Sequence, residues 1–268
     1  MIANYLRYAK RALLDPAPCP SDTGLFRRLL LKPRVHDLVS AFIQLRDARR
    51  TLALAQTGAP ALGGAKNRDA VDETVTHNLG QVQRKLVVRT RRVEPFYQVL
   101  TAPWRDLSNE KLLVIGGRNI HELWIAELYG YKWDNIDAID LFSTNPKIRV
   151  MNMEALEYPD ATFDAVTMIN TLGYSGDPVS VVKGIARVLR PGGRFVFNHV
   201  HDPKMERFGG GDRVPGRDIL AALRESGLKI YFYSPSDKIN SAGRPQTSHL
   251  FGARKPALGE TPFDPVEL

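Results

Sequence analysis

The sequence predicts an α/β protein, in which a mainly helical region precedes a domain of alternating strands and helices. Short apolar runs bounded by glycine or polar residues, of the kind that form buried strands, recur after residue 109. Stretches with apolar side chains at helical spacing separate several of these runs. Alternating strands and helices form a largely parallel sheet, which binds ligands beside the carboxyl ends of its strands.

The composition limits the class of protein. The chain has 268 residues, and its apolar and charged fractions, 43% and 25%, are ordinary for a globular protein. Its single cysteine, Cys19, excludes an intramolecular disulfide and a cysteine-based zinc site, and we expect no metal site. No run approaches the roughly 18 apolar residues of a membrane-spanning helix, and the first residues lack the apolar core of a signal peptide. These features favour a cytoplasmic protein, with peripheral contact to the inner membrane as the alternative.

The excess positive charge lies in the N-terminal part of the chain. Residues 1–110 contain 18 basic and 10 acidic residues, whereas residues 111–268 contain 19 of each. This asymmetry favours contact with an anionic surface, and solvated helix faces explain it equally well. Residues 2–13 have the spacing of a basic amphipathic helix, for which docking on its own protein is favoured over lying on a bilayer.

The changes of pattern divide the chain into three segments. We expect a basic helical region at residues 1–107 that packs on the core, with helices over about 35–55 and 69–100. The domain of alternating strands and helices occupies residues 108–256, and a loosely ordered tail occupies residues 257–268.

Seven strands and three helices are predicted in the domain. The strands cover residues 111–117, 136–141, 148–151, 163–169, 194–200, 229–233 and 248–254. The helices cover about residues 121–128, 178–189 and 216–226. Pro191 ends the second helix, and Gly192 and Gly193 permit a left-handed turn into the next strand.

The connection between the second and third strands is unusually short. It spans residues 142–147, whereas parallel strands ordinarily need a crossover of about a dozen residues. A reduced crossover leaves one face of the sheet edge uncovered. We expect helices of the N-terminal region to pack there and to complete the core.

Glycine and polar residues follow four successive strands and predict a nucleotide-type site. The candidate residues are Gly116, Gly117, Arg118 and Asn119, then Asp140 and Leu141, then Asn152, Met153 and Glu154, and finally Asn170. Glycines let the backbone approach a ligand, and a helix start favours a negative group. A carboxylate after the second strand can accept hydrogen bonds from both ribose hydroxyls, and polar groups after the third can contact an adenine edge. Each residue alone is also explained as part of a turn, a helix cap or a surface.

Two segments resemble signatures of the class I S-adenosylmethionine-dependent methyltransferase family. They are Asn152-Met-Glu-Ala-Leu-Glu-Tyr-Pro-Asp-Ala-Thr-Phe-Asp-Ala-Val166 and Arg187-Val-Leu-Arg-Pro-Gly-Gly-Arg-Phe195. The resemblance covers residues 111–200. It implies a Rossmann-like seven-stranded sheet with the last strand antiparallel, S-adenosyl-L-methionine as cofactor, and methyl transfer as the reaction. It also places Asn170, with Thr171 and Tyr174, near the methionine end of the cofactor and the acceptor.

The chain departs from the family pattern in its first loop. Val114, Arg118 and Ile120 stand where the family has an acid and two further glycines, and Asn152 replaces an adenine-contacting aspartate. An asparagine can still accept a hydrogen bond from an exocyclic amine, so cofactor binding is retained as the expectation.

A narrower resemblance concerns the acceptor. Ile115-Gly-x-Arg-x-x-x-Glu-Leu123 and Ile139-Asp-Leu-Phe-Ser-x-x-Pro-x-Ile148 resemble a bacterial subgroup that often accompanies polysaccharide-biosynthesis genes. It implies a hydroxyl or amine of a glycan, sugar precursor or other small molecule as acceptor. It also implies Arg118 and Glu122 as site residues, with an exposed ion pair at the helix start as the alternative.

His199 and His201 are the candidate general bases. They follow the fifth strand, and strand alternation puts both on one side if the strand continues that far. A histidine can take a proton from an attacking hydroxyl, whereas positioning alone can suffice for methyl transfer. Packing or local hydrogen bonding explains each histidine equally well.

Other functions are compatible with parts of the sequence. A non-catalytic methyltransferase-fold scaffold would explain the altered first loop, and a nucleic-acid methyltransferase would use the basic N-terminal region to hold phosphates. No base-flipping or stacking pattern supports the latter. A nicotinamide oxidoreductase is disfavoured because the sequence lacks Gly-x-Gly-x-x-Gly and has two additional strands at its end.

Overall fold

The computed structural model describes residues 93–260 except 103–105, 118–119, 144, 205–207, 240–242 and 244, together with isolated helical positions between residues 35 and 76. The helices are α1 (Glu94–Thr101), α2 (Ile120–Leu128), α3 (Pro178–Val188) and α4 (Gly216–Glu225). The strands are β1 (Leu112–Ile115), β2 (Ile136–Asp140), β3 (Ile148–Val150), β4 (Phe163–Met168), β5 (Leu189–His201), β6 (Lys229–Ile239) and β7 (Pro245–Arg254). The predictions for residues 1–34, and for nearly all of 54–92, lie outside the described residues.

The seven strands form one sheet in the order β3-β2-β1-β4-β5-β7-β6. Strands β1 to β5 run parallel to one another, and β7 runs antiparallel to both β5 and β6. The predicted fold class, including the antiparallel last strand, is confirmed. The central strand β1 is buried on both faces, which is why its sequence is a continuous apolar run.

Helices cover both faces of the sheet and create two apolar cores. Successive residues of β1 alternate between them: Leu113 and Ile115 face α3 and α4, whereas Leu112 and Val114 face α1 and α2. This alternation fixes the register of the strand, because a slip by one residue would exchange the two sets of side chains.

Helix α1 belongs to the second core. Its side chains Phe96, Tyr97 and Leu100 are buried against the sheet. The Tyr97 hydroxyl donates to the Glu122 carbonyl of α2 at 3.3 Å, and the Tyr231 hydroxyl of β6 donates to the Val99 carbonyl at 3.2 Å. Side-chain burial and hydrogen bonds therefore both join this helix to the sheet.

The crossover from β2 to β3 is short, as predicted, and its described residues form turns. The Asn145 amide donates to Ser143 Oγ at 3.0 Å, and the Lys147 amide donates to Asn145 Oδ1 at 3.0 Å. The Lys147 ammonium donates to the Trp133 carbonyl at 2.8 Å and lies over the indole ring. Val150 remains 44% exposed at this edge. Helix α1 lies beside α2 and against β5, so its position does not account for coverage of β3.

The last three strands are longer than the sequence suggests. Gly192 has φ +78°, in agreement with the predicted turn, but residues 190–193 bulge within β5 instead of preceding it. The Gly192 amide donates to the Lys255 carbonyl at 2.8 Å, which anchors the bulge to the chain after β7. Glu260 pairs with Arg254, so the described residues 257–260 fold back on the sheet.

An ion pair fastens β5 to the chain that enters β1. Arg194 is 2% exposed, and its guanidinium pairs with the Glu110 carboxylate across the intervening strand β4. Breaking such a buried pair leaves an uncompensated charge and costs about 3–5 kcal/mol.

Within the described residues, no helix has both the length and the apolar character to cross a membrane.

We predict that Leu100→Ala lowers the free energy of unfolding of the whole domain by about 2–5 kcal/mol, because it leaves a cavity between α1 and the sheet. Leu100 is fully buried, whereas Gln98 in the same helix is exposed. Urea unfolding of the full chain should show this loss in one transition, with a smaller change of at most about 1 kcal/mol for Gln98→Ala, which removes only a hydrogen bond to the half-buried Tyr129. Equal effects of the two substitutions would mean that α1 is detachable.

Candidate cofactor site

Four strand ends meet at one edge of the sheet. The order β3-β2-β1-β4 makes their carboxyl ends neighbours. The Gly116 amide donates to the Ile139 carbonyl at 2.8 Å, and the Met151 amide donates to the Asp140 carbonyl at 3.0 Å. The backbone pairing thus continues to the first residue after β1 and after β3. The described candidate residues after β1, β2, β3 and β4, which come from separate parts of the sequence, therefore lie at one edge of the sheet.

Gly116 permits the closest contact at this edge. Its φ is +77°, and a Cβ added there would lie 2.1 Å from Thr171 Oγ1, in the loop after β4. The absence of a side chain therefore lets the β4 loop pack on the β1 turn. Gly117 is buried beside it, and Arg118 and Asn119 lie outside the described residues. Glu122 follows in α2 and is half-buried.

Asp140 ends β2 directly beside the glycine turn. Its side chain is 9% exposed, and Oδ1 accepts from the Phe142 amide at 3.3 Å. A carboxylate has two oxygens and about four lone-pair sites, so it can accept several hydrogen bonds at once, including those of sugar hydroxyls. Leu141 is half-buried next to it. A carboxylate acceptor at this position fits the hydroxyl groups of an adenosyl ribose.

The residues after β3 divide into two roles. Asn152 Oδ1 accepts from the Glu154 amide at 3.0 Å and so closes a turn, while Met153 is buried in the first core. The Glu154 carboxylate accepts from Ser175 Oγ and the Gly176 amide, both at 2.7 Å. Glu154 therefore faces the loop after β4 and ties it to the loop after β3. Of the three candidate residues after β3, Asn152 is the one that neither joins the core nor ties the two loops together.

Asn170, the second residue after β4, adopts a left-handed conformation with φ +52°. Its amide donates to Asn198 Oδ1 at 2.6 Å, and Asn198 Nδ2 donates to Asn170 Oδ1 at 2.8 Å. Sequence reasoning missed Asn198. The available signal was a single amide in the otherwise apolar run Arg194-Phe-Val-Phe-Asn198 of β5.

The two histidines lie on the same side of β5, which continues to His201. The His199 Nε2 lies 2.6 Å from the Val214 carbonyl, so this nitrogen carries the proton and donates. Burial lowers the pKa of His199 to about 4, and the ring is neutral at pH 7. His201 is half-buried at the end of the strand.

An acidic pair beyond β5 was also missed by sequence reasoning. The Asp202 amide donates to the Asp212 carbonyl at 2.8 Å, which joins the end of β5 to residues 208–213. Burial and the nearby Asp202 carboxylate raise the pKa of Asp212 to about 6. Residues 202 and 212 are ten apart, so their proximity follows from a loop that turns back on the strand.

The comparisons with known proteins agree on one domain type. Residues 132–197 match the methyltransferase domain family. The ubiquinone/menaquinone biosynthesis C-methyltransferase UbiE of Pseudoalteromonas translucida is 29% identical over 98 residues, which are 37% of this chain and 32% of that protein. The chain therefore matches about a third of the length of this curated relative.

The solved structures concern the fold. The 1,6-didemethyltoxoflavin-N1-methyltransferase of Burkholderia thailandensis, solved with S-adenosylhomocysteine, is 17% identical with a TM-score of 0.51. The likeness covers 74% of this chain and 93% of that one. A methyltransferase of Methanosarcina mazei is 15% identical with a TM-score of 0.44, over 56% of this chain and 94% of that one. The sheet is the Rossmann-like sheet of methyltransferases.

Gly116→Ala should destabilise the protein more than Gly227→Ala. Both glycines have positive φ, but a Cβ at Gly227 meets nothing within 4 Å. Each substitution costs about 1–2 kcal/mol of backbone strain, and overlap with Thr171 adds about 1–3 kcal/mol at Gly116 alone. Urea unfolding measures both losses. Equal losses would show that the β4 loop moves away without cost.

The low pKa of His199 predicts a stability that depends on pH. The unfolded chain binds a proton near pH 6.5, whereas the folded ring does so near pH 4, so stability is lost as pH falls through that window. Between pH 7.5 and 5 the loss from this group is about 2 kcal/mol. The pKa of Asp212 is raised, so this group stabilises the folded state more as pH falls and offsets part of the loss.

The comparison of wild type with His199→Gln isolates the histidine, because Asp212 contributes to both proteins. Urea unfolding at the two pH values should show a decrease with falling pH that is smaller in the variant by about 2 kcal/mol. The same pH dependence in both proteins would contradict the assignment.

Proposed function

We propose that this chain, which carries an S-adenosylmethionine-dependent methyltransferase domain, transfers a methyl group from S-adenosyl-L-methionine to a small-molecule acceptor. The observation that carries the proposal is Asp140, a largely buried carboxylate at the end of β2, beside the left-handed glycine turn of β1. This pairing lies in a sheet of methyltransferase topology, and the matched family segment includes Asp140.

Each group of residues has a defined task in this proposal. Asp140 accepts hydrogen bonds from the ribose hydroxyls, Asn152 contacts the adenine, and the backbone of Gly116 and Gly117 approaches the methionine end. Arg118, Asn119 and Leu141 complete the cofactor contacts, and Asn170 lies near the methionine end of the cofactor and the acceptor. When bound, the cofactor supplies an electrophilic sulfonium methyl group. The protein then positions the acceptor and excludes water, which can account for about 7–11 kcal/mol of the barrier.

Of the two candidate bases, His201 suits the task better. A general base is most effective with a pKa near the working pH, and burial holds the pKa of His199 near 4. His199 also uses one ring nitrogen to hold the Val214 carbonyl. We therefore assign His199 to packing and orientation of this region, and proton transfer, where the acceptor needs it, to His201.

The acceptor proposed is a hydroxyl or amine of a glycan, sugar precursor or other small molecule. Its support is the resemblance of the β1 and β2 loops to methyltransferases that accompany polysaccharide-biosynthesis genes. Contact of the basic N-terminal region with an anionic surface, at the inner face of a membrane, is part of the same proposal. Its support is the excess of 18 basic over 10 acidic residues in residues 1–110.

Asp140→Ala should weaken the binding of S-adenosylhomocysteine by about 100-fold, because two charge-assisted hydrogen bonds of about 1.5 kcal/mol each are lost. Asp137→Ala is the matched control, since Asp137 lies three residues earlier in β2 and about 10 Å from the strand end. Isothermal calorimetry of the full chain measures both dissociation constants. Equal affinities would remove Asp140 from the site.

Two measurements separate the alternative functions. In the calorimetry, a wild-type chain that does not bind S-adenosylhomocysteine would be a scaffold with the methyltransferase fold. In a separate binding assay, steep salt dependence of binding to RNA or DNA would indicate a nucleic-acid methyltransferase.

A further inference from the structure

The end of β4 is held in a conformation that its residue type does not favour. In the described part of the chain, the non-glycine residues with positive φ are Ala161 and Asn170. Asparagine tolerates this region better than most residues, but a single residue keeps it only where its surroundings hold it there. Such conformations concentrate at functional sites.

The side chain of Asn198 holds Asn170 in this conformation. Asn198 accepts from the Asn170 amide at 2.6 Å and donates to the Asn170 side-chain oxygen at 2.8 Å. Asn198 is 6% exposed and follows Phe197, which is paired with Met168 at the end of β4. The carboxamide of Asn198 thus binds both the backbone and the side chain of Asn170, the second residue beyond the strand, where sheet pairing no longer fixes the chain.

The conformation of Asn170 determines where the next residue lies. Thr171 Oγ1 donates to the Ile169 carbonyl at 2.9 Å and occupies the space that a Cβ of Gly116 would need. Gly116 in turn donates to the Ile139 carbonyl, one residue before Asp140. A continuous set of contacts therefore runs from Asn198 on β5, through the β4 loop, to the glycine turn and the end of β2.

We propose that Asn198 is a positioning residue for the cofactor site. Its carboxamide holds Asn170 in the left-handed conformation and thereby keeps Thr171 packed on the glycine turn of β1. The proposal rests on the proposed function, since it assigns to the β5 strand the task of shaping the site for the adenosyl cofactor. Asn198 itself acts through Asn170 and Thr171.

The test is a double-mutant cycle with S-adenosylhomocysteine as the probe. Asn198→Ala should weaken its binding to the full chain by about tenfold, since the left-handed conformation loses its support. Asn170→Gly adopts positive φ without strain, so in that background Asn198→Ala should weaken binding by less than about threefold. Calorimetry measures the four dissociation constants.

A control and a second measurement separate positioning from general stabilisation. Asn135 donates to the Ser108 carbonyl at 3.0 Å before β2, at the opposite edge of the sheet. Asn135→Ala should lower the free energy of unfolding while changing affinity by less than about twofold. Amide hydrogen exchange without ligand should be faster at Asn170, Thr171 and Gly116 in Asn198→Ala, by about tenfold, and unchanged there in Asn135→Ala.

The outcomes are distinguishable. A wild-type chain that does not bind the probe overturns the proposed function and, with it, the cofactor role of Asn198. If the wild type binds, an Asn198→Ala chain with unchanged affinity and unchanged exchange overturns this inference alone. An affinity loss of the same size in both Asn170 backgrounds would also overturn it, because the effect would then not pass through the conformation of residue 170.

Discussion

The candidate site depends on one close contact, between the glycine turn after β1 and the threonine after β4. The chain at Gly116 has no side chain, and Thr171 takes the space that one would need. Because β1 and β4 are adjacent, this contact sets the distance between the two loops on either side of the ligand edge. Asp140 lies on the far side of the same turn, so its placement also depends on the contact.

Polar side chains near this edge fasten loops to one another. Glu154 ties the loop after β3 to the loop after β4, and Asn198 ties the loop after β4 to β5. Sequence reasoning assigned Glu154 to ligand contact and overlooked Asn198. In the structure each accepts a hydrogen bond from a backbone amide of the loop after β4. The shape of the site is therefore supported by bonds that do not themselves involve the ligand.

The sequence predicted the order and type of the elements of the domain, because buried strands and amphipathic helices have local periodicities that a linear pattern displays. It did not predict the lengths of β5, β6 and β7. Pro191 and Pro235 indicate turns locally, but the strands continue through both. Pro191 lies in the bulge of β5 beside β4, and Pro235 is paired with His249 of β7. Edge position and bulges tolerate such residues, but neither is visible before the sheet is assembled.

In the candidate site too, features set by local sequence were predictable and features set by the assembled fold were not. The glycine turn and Asp140 were predictable, because each follows a strand and their chemistry is local. The tether made by Glu154 and the pairing of Asn170 with Asn198 were not, because each joins residues 21 to 28 positions apart through loops whose paths the pattern leaves open. The proximity of Asp202 and Asp212 depends likewise on a loop that returns to the strand.

The position of β1 in the sheet has a consequence for synthesis of the chain. Its partners are β2, which follows it within about twenty-five residues, and β4, which the ribosome releases some fifty residues later. Until then an apolar edge of β1 has no strand beside it, and the Arg194 partner of Glu110 has not yet been made. A nascent chain that stalled before β4 would therefore expose an unpaired apolar strand edge, which favours aggregation and makes chaperone protection important during this stretch of translation.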